Sequence, residues 1–479
     1  VAAATANKPA TSPVAATAAA SPPAARAAPD GTLEGALRLA APKGRGVVLL
    51  SFADKGVRSL LLNFVAHVSG VGAPLVIGAV DTAVFELLSG RGVRTYKTPL
   101  ALETDYRLDG SNAHASSSWQ RFAAMRTGEI AKAVALGYDV LQTDLDVVWL
   151  RNPAPYFECA EGGSGGGGGS GSTIPPELAC DALREADVAA SSDNMSPGDD
   201  ARRGVGYAVG GTLNTGIVLL RATEAGKRFA AAWHERVVAR ACRGGAVGDC
   251  NAGRCCTSDQ QVFGRMVRDE KLPYPGIHVG PGKGRTARIP SGNATLGALP
   301  IALFMHGHGY FVQRAHERRK LPPYAVHATY TLDRHDGLAK AQRFREAGLW
   351  RAEEPSGGAG SQRADRFLAL SSSLPPEVSS AIDEHVRKGG GSANIAVHLL
   401  AIRAYVAELR DALALARATR RTLVLPRWTC YCDRLWSGSD DIFHFGCMYP
   451  GSHDGKFVPF TCPMDHVLSP TAWAGSTVA

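Results

Sequence analysis

The sequence predicts an α/β fold, a mostly parallel β-sheet flanked by helices, followed by a disulfide-containing C-terminal lobe. Three observations support this prediction. From Arg45 onwards, short apolar runs alternate with amphipathic stretches, which is the rhythm of successive βαβ units. Two apolar runs flank a short acidic break at residues 144–146. Ten cysteines are present, and many of them lie close together in sequence.

The first elements establish the sheet. Buried apolar runs are separated by stretches with apolar residues at helical spacing, and glycine or proline marks several of the boundaries. Strands are predicted at 46–51, 74–80 and 93–96, with helices at 59–69, 82–90 and 119–136. Ligands of such sheets bind at the carboxyl ends of the strands. We therefore expect a ligand near Ser51, Phe52 and Asp54, which follow the first strand.

The same pattern continues along the chain. Residues 138–153 predict a strand, a polar break and a second strand. Further strands are predicted at 187–191, 213–220 and 422–426, with helices at 224–241, 258–268 and 393–419. Residues 162–172 contain only Gly and Ser and predict a flexible surface insertion.

The composition predicts how the chain divides. The first thirty residues are almost only Ala, Pro, Thr and Ser, and they cannot bury enough apolar area to offset the entropy of ordering. We expect a disordered stem at 1–44, an α/β domain at 45–352, a linker or helical connection at 353–392 and a Cys-rich lobe at 393–479. Any membrane anchor is expected upstream of this chain, since the longest apolar runs fall far short of the roughly 20 residues a spanning helix needs.

Composition and charge exclude several classes of protein. Hydrophobic residues make up 45% of the 479 residues and charged residues 20%, which excludes a wholly disordered chain, a coiled coil or a collagen. The formal charge of +8 is spread along the chain without interleaved aromatics, so we expect no nucleic-acid partner. The cysteine spacing does not match the common zinc sites. Disulfides are favoured, which indicates an oxidising compartment.

The acidic break Asp144-Leu145-Asp146 is the sharpest local feature. On an extended backbone the side chains of residues i and i+2 point the same way, and two neighbouring carboxylates repel each other unless a cation lies between them. Mn²⁺ or Mg²⁺ takes oxygen ligands and also binds a diphosphate. A polar loop between two strands would give the same residues, so the motif alone leaves both interpretations open.

Further polar residues could complete a site. His327 ends a short apolar strand and is the preferred third metal ligand, with His308 as the alternative. Lys340 and Arg343 could neutralise phosphate oxygens, although a solvated helix face would also explain them. Residues near a bound sugar or its acceptor are expected among Asn214, Asp259 and Gln260. An ordinary turn and a helix N-cap would explain the two segments that contain them.

Several segments together resemble a known family. Residues 137–153, 213–216 and 258–260 resemble the nucleotide-diphospho-sugar transferases of plants and green algae, in glycosyltransferase family seventy-seven. The match is narrowed to the extensin arabinosyltransferases by later segments, at 307–313, 323–327, 344–350, 421–426, 432–436 and 462–466. The resemblance runs from about Arg45 to His466.

The resemblance implies a GT-A fold and a type II Golgi membrane protein whose anchor is absent from this chain. It implies a retaining, Mn²⁺-dependent transfer of arabinofuranose from a UDP-sugar to an arabinosylated hydroxyproline-rich wall glycoprotein. Asp144 and Asp146 match the D-x-D motif, and His327 matches the late metal histidine. The uracil and ribose would lie near Ser51, Phe52 and Asp54. The donor sugar and the acceptor would meet near Asn214, Asp259 and Gln260.

The sequence leaves three points open: the mechanism, the donor sugar and whether the protein is an enzyme. Retention without an obvious nucleophile favours front-face attack, with the leaving diphosphate accepting the proton, but a covalent route through Asp259 is also consistent. The donor could instead be UDP-galactose or UDP-xylose on the same fold. A non-catalytic glycan-binding scaffold is the remaining alternative.

Overall fold

The computed structural model describes most of the chain. The described residues are 30–42, 44, 46–102, 117–159, 174–240, 258–268, 284–289, 291–331, 336–352, 366–370, 374–387, 394–431 and 459–474. The predicted insertion at 162–172 and the first 29 residues of the predicted stem lie outside them. So do the six cysteines at 242, 250, 255, 256, 432 and 447.

Each predicted strand and helix is present, and the structure adds others that the sequence analysis did not predict, among them strands at 286–289 and 294–298. The strands are β1 Val47–Ala53, β2 Leu75–Ala79, β3 Thr95–Lys97, β4 Asp139–Thr143, β5 Val147–Trp149, β6 Val188–Ser192, β7 Leu213–Leu220, β8 Thr286–Ile289, β9 Ala294–Ala298, β10 Phe304–His306, β11 Ala325–His327, β12 Phe367–Ala369, β13 Thr422–Val424, β14 Thr429–Cys430 and β15 Phe460–Thr461. The α-helices are α1 Leu33–Ala40, α2 Arg58–Val71, α3 Thr82–Ser89, α4 Ser117–Ala135, α5 Ala154–Phe157, α6 Pro197–Arg203, α7 Val205–Gly210, α8 Glu224–Arg240, α9 Asp259–Val267, α10 Ala315–Arg319, α11 Asp336–Glu346, α12 Pro376–Arg387, α13 Asn394–Thr419 and α14 Pro470–Ala474.

An eight-stranded sheet forms the centre, in the order β3-β2-β1-β4-β7-β6-β9-β8. Four of its seven described strand pairs are parallel: β1 with β2, β1 with β4, β2 with β3 and β6 with β9. The pairs β4–β7, β6–β7 and β8–β9 are antiparallel. The prediction of a mostly parallel α/β sheet is therefore confirmed, with antiparallel pairing in its second half.

Helices cover both faces of this sheet because its strands are apolar on both sides. Alternate residues of a strand point to opposite faces. In β1, Val48 and Leu50 join a core with α1, α4, α8 and α9. Val47 and Leu49 join the opposite core with α2, α3 and α5. The continuous apolar run that predicted β1 thus reflects burial on two faces.

Strand β5 departs from the expected arrangement. It does not extend the main sheet but pairs antiparallel with β11, which in turn pairs parallel with β10. The turn at residues 144–146 redirects the chain from one sheet to the other. The acidic motif therefore lies at the junction of two sheets, beside the end of β11.

Residues 33–40, which were predicted to lie in a disordered stem, form α1. The Thr32 hydroxyl caps this helix by accepting a hydrogen bond from the amide of Gly35 at 3.1 Å. Leu33, Ala36 and Leu37 lie at helical spacing and are buried against the sheet. This short apolar face follows the Ala/Pro-rich segment directly, and the overall composition of residues 1–44 concealed it.

The C-terminal lobe comprises α12, α13, β12 to β15, the 3₁₀ helix Met464–His466 and α14. Cys430 and Cys462 form a disulfide between β14 and the end of β15, which confirms that the lobe contains one. Tyr405 of α13 stacks on Trp428, with ring centroids 5.4 Å apart. No described helix is both long and apolar enough to cross a membrane.

Candidate functional site

The turn between β4 and β5 carries both aspartates of the D-x-D motif. The amide of Asp144 donates to the carbonyl of Gly216 at 2.9 Å, and the amide of Ala328 donates to the carbonyl of Asp146 at 2.9 Å. The prediction that an extended backbone aligns the two carboxylates is wrong, since these residues form a turn. The carboxylates converge because β7 and the residue after β11 anchor the turn on both sides.

His327 completes a cluster of three potential metal ligands. One ligand atom each from Asp144, Asp146 and His327 lies within 4.8 Å of the others. His327 is the last residue of β11 and pairs with Val147, and its Nε2 lies 3.3 Å from Oδ1 of Asp146. The alternative, His308, is buried elsewhere, with its Nδ1 3.0 Å from Nε2 of Gln313. The structure brings His327, and not His308, to the aspartates.

Lys340 of α11 also reaches this cluster. Its Nζ lies 2.9 Å from Oδ2 of Asp146, a residue that is only 8% exposed. Burial by itself would raise the pKa of Asp146, but the charges of Lys340 and His327 hold it well below its usual value. Burial opposes protonation of His327, but the nearby Asp146 carboxylate raises the pKa of His327. Asp146 is therefore held as an anion, with Lys340 and His327 beside it.

Arg126 of α4 joins two acidic residues that are distant in sequence. Its Nη1 lies 2.9 Å from Oδ1 of Asp144, and its Nη2 forms a buried ion pair with Asp259. Asp259 itself is only 2% exposed at the start of α9. Sequence reasoning missed Arg126. Its position could have revealed it, because Arg126 lies four residues after Phe122 and four before Ile130, on the apolar face of α4. An unpaired charge on that face would be costly, so a buried acidic partner is expected there.

Asn214 contacts Asp193, a carboxylate that sequence reasoning missed, and Gln260 contacts the residue next to Asn214. The Asn214 side-chain amide donates to both carboxylate oxygens of Asp193, at 3.1 and 2.9 Å. Its carbonyl oxygen accepts from the amide of Gly216 at 2.7 Å. The amide of Thr215 donates to Oε1 of Gln260 at 3.2 Å. Asn214 therefore orients Asp193. This aspartate directly follows β6, at the carboxyl end of the strand, where ligands of such sheets are expected to bind.

The expected nucleotide edge lies at the carboxyl ends of β1 and β2. Asp54 accepts from the amide of Gly56 at 3.1 Å, and Asp81 accepts from the amide of Lys55 at 2.7 Å. Burial and the neighbouring Asp81 raise the pKa of Asp54. Ser51 and Phe52 are buried within β1, with Phe52 packed across the face of Gly78. Of the three residues predicted here, Asp54 lies beyond the end of the strand.

Arg343 does not join the cluster, although it was predicted beside Lys340. Its side chain is 1% exposed and forms a two-pronged ion pair with Asp465 of the C-terminal lobe, at 2.6 and 3.0 Å. Lys340 and Arg343 lie about one helical turn apart on α11, yet Lys340 contacts Asp146 of the acidic turn and Arg343 contacts Asp465 of the lobe. The phosphate-binding role predicted for Arg343 has no support in this geometry, because its charge is already matched in a buried pair.

The chain matches one protein family and is similar to two plant proteins. The model of the family described as nucleotide-diphospho-sugar transferase matches residues 72–344. Arabinosyltransferase XEG113 of Arabidopsis thaliana is 28% identical over 432 residues, which are 88% of this chain and 55% of that protein. Beta-arabinofuranosyltransferase RAY1 of the same plant is 30% identical over 128 residues, which are 26% of this chain and 23% of that protein. The chain thus spans about half the length of the first relative and about a quarter of the second.

Solved structures are similar only at a low level. Mouse xyloside xylosyltransferase 1 in its apo form is 13% identical with a TM-score of 0.30, covering 59% of this chain and 97% of that one. This similarity is too low to bear on the chemistry of the site.

Proposed function

The chain belongs to the nucleotide-diphospho-sugar transferase family, and from that premise we propose that it is a retaining, Mn²⁺-dependent glycosyltransferase. Its donor is UDP-arabinofuranose, and its acceptor is an arabinosylated hydroxyproline-rich wall glycoprotein. The names of the two plant relatives support an arabinose donor. A disulfide in the lobe supports an oxidising location, which we take to be the Golgi lumen.

One observation carries the proposal: the convergence of Asp144, Asp146 and His327 at the junction of the two sheets. Two carboxylates and an imidazole fit Mn²⁺, which accepts both oxygen and nitrogen ligands. When bound, the ion stabilises the negative charge of a departing diphosphate as a Lewis acid. The cluster favours an enzyme over a glycan-binding scaffold, because neutral hydrogen-bonding groups suffice to bind sugar hydroxyls, whereas a departing diphosphate needs a positive charge.

The surrounding side chains have separate roles in this proposal. Lys340 supplies a positive charge beside Asp146 and lies within reach of a phosphate group bound there. Arg126 fixes the direction of the Asp144 carboxylate. Asp193, held by Asn214, is the carboxylate we assign to a sugar hydroxyl, and Gln260, which accepts from the amide of Thr215, is assigned to the same region. The Asp54 side chain is assigned to the nucleoside.

The same contacts favour front-face attack over a covalent route. A nucleophilic carboxylate must be accessible to the anomeric carbon. Asp259 is buried and paired with Arg126, and both carboxylate oxygens of Asp193 accept hydrogen bonds from the Asn214 amide. We therefore propose that a phosphate oxygen of the donor accepts the proton of the attacking hydroxyl. The protein contributes position and charge more than covalent chemistry.

The test is a donor panel with a hydroxyproline-arabinoside peptide as acceptor. Separate incubations with UDP-arabinofuranose, UDP-xylose and UDP-galactose, each with Mn²⁺, are followed by mass spectrometry of the peptide. We expect a pentose increment with UDP-arabinofuranose alone, and loss of the product with chelator. Transfer from UDP-galactose or UDP-xylose would overturn the donor assignment. Glycan binding without any nucleotide-dependent thermal shift would overturn the enzyme assignment in favour of a scaffold.

Gly216→Ala is expected to weaken Mn²⁺ binding on the order of tenfold or more, as losses of supporting contacts around metal ligands do. A Cβ at this position would lie 2.2 Å from Cε1 of His327, so the imidazole must move away from the aspartates. Calorimetric titration of Mn²⁺ measures the effect. Gly206→Ala on α7 is the matched control, because a Cβ there meets no atom within 4 Å. Equal Mn²⁺ affinity in both variants would contradict the role of His327.

A further inference from the structure

Two thiols lie side by side outside the candidate site. Cys159 follows α5, and Cys180 begins the 3₁₀ helix Cys180–Leu183. Their Sγ atoms and a carboxylate oxygen of Asp181 all lie within 4.8 Å of one another. Both cysteines are free thiols in the structure, Cys180 buried and Cys159 half-buried. The pair brackets the part of the chain that contains the Gly-rich segment 162–172.

Packed elements hold both thiols in place. The Tyr156 hydroxyl donates to the carbonyl of Leu178 at 2.9 Å, which ties α5 to the residues just before Cys180. Arg221 donates to the carbonyl of Phe157 at 2.8 Å. Tyr156 and Phe157 also pack edge-on or tilted against Phe304 of β10. The proximity of the two sulfur atoms is therefore set by the packed residues around Tyr156, Phe157 and Phe304.

The chemistry around the pair favours a disulfide over a metal site. Structural zinc takes four ligands, whereas the described residues offer three here, and Asp181 is exposed and ion-paired with Arg184 at 2.5 Å. The Cys430–Cys462 disulfide indicates that this chain matures where thiols are oxidised.

We propose that Cys159 and Cys180 form a disulfide with each other, in addition to Cys430–Cys462, that closes the chain segment between them. The oxidant is a disulfide of the secretory pathway, either oxidised glutathione or a protein oxidoreductase. In two exchange steps the S–S bond of the oxidant breaks, one S–S bond forms between Cys159 and Cys180, and the oxidant leaves as two thiols. The crosslink fixes the exit of α5, directly downstream of the D-x-D turn, to the 3₁₀ helix at Cys180.

The experiment is disulfide mapping of the full chain secreted from a eukaryotic host, and it does not depend on transferase activity. Trypsin is expected to release residues 152–184 as one peptide, because Arg151 and Arg184 bracket a stretch without Lys or Arg. Alkylation without reduction should leave this peptide unmodified and two hydrogens lighter than its thiol form. After reduction both cysteines should be alkylated. Further cleavage after Glu158, Glu161 and Glu177 should leave fragments 159–161 and 178–184, which contain the two cysteines, joined until reduction.

The Cys159→Ser/Cys180→Ser double variant provides the second measurement. We expect its thermal midpoint to fall by roughly 5 °C, because the crosslink restricts the unfolded chain. The mapping overturns the proposal if both cysteines of the unreduced wild-type protein are alkylated, if either is joined to a different cysteine, or if native mass spectrometry finds one zinc ion that the double variant loses.

Discussion

Asp146→Asn is expected to lower transferase turnover on the order of 10² to 10³-fold, the range in which loss of one charge-stabilising group at an active site falls. Asparagine keeps the shape of the side chain but removes the anion that faces His327 and Lys340. Without that anion the remaining ligand set carries one negative charge less, and Mn²⁺ binding weakens. We expect the thermal shift with Mn²⁺ and UDP to be lost while the circular dichroism spectrum is unchanged.

The control for this variant is Asp411→Asn on α13, where the aspartate side chain is 71% exposed and far from the acidic turn in sequence. It should retain wild-type turnover and the wild-type response to Mn²⁺. Full activity of Asp146→Asn in the presence of chelator would show that the acidic turn has no role in transfer. Full activity restored only by excess Mn²⁺ would instead agree with a weakened metal site.

Arg343→Ala is expected to destabilise the protein by about 3–5 kcal/mol, as removal of one partner from a buried ion pair does. The Asp465 carboxylate would stay buried without its two-pronged partner, and the Tyr330 carbonyl would lose a donor at 3.2 Å. Urea denaturation of the wild-type and variant chains gives this difference in the free energy of unfolding. Because Arg343 joins α11 to the C-terminal lobe, we expect the lobe to unfold at lower urea concentration.

Two controls separate this structural role from the phosphate-binding role that the sequence suggested. The double variant Arg343→Met/Asp465→Leu removes both charges and should recover most of the lost stability, because no unpaired charge remains buried. Its KM for the UDP-sugar should equal that of the wild type. A raised KM in the double variant would instead show that Arg343 contributes to binding of the UDP-sugar. Arg314→Ala, which breaks the exposed pair with Glu317, should cost at most about 1 kcal/mol.

Local patterns in the sequence were sufficient for most of the elements. Strands such as β1, β4 and β7 were found because continuous apolar runs bounded by polar residues indicate strands buried on two faces. Helix α4 was found from its apolar spacing. The D-x-D turn and His327 were also identified locally, because charged residues at the ends of apolar strands stand out from their neighbours.

The partners of those residues depended on contacts that no local pattern encodes. Arg126 meets Asp259, which is 133 positions away in sequence, and Arg343 meets Asp465 across 122 positions. Lys340 and Arg343 lie on one helix with similar neighbours in sequence, yet one faces the acidic turn and the other faces the lobe. A helix presents its side chains in all directions, so only the elements packed around it decide which cation reaches an active site.

The sequence by itself therefore determined six of the eight strands of the main sheet, several of the helices around it, the acidic turn and the histidine most suited to complete it. The tertiary structure decided that β5 leaves the main sheet to pair with β11, which is what brings His327 to the aspartates. It also decided that Asn214 orients Asp193 and that Arg343 binds the lobe. The physical reason is that burial periodicity is a property of neighbouring residues, whereas strand pairing and ion pairing join residues that are brought together only when the whole chain folds.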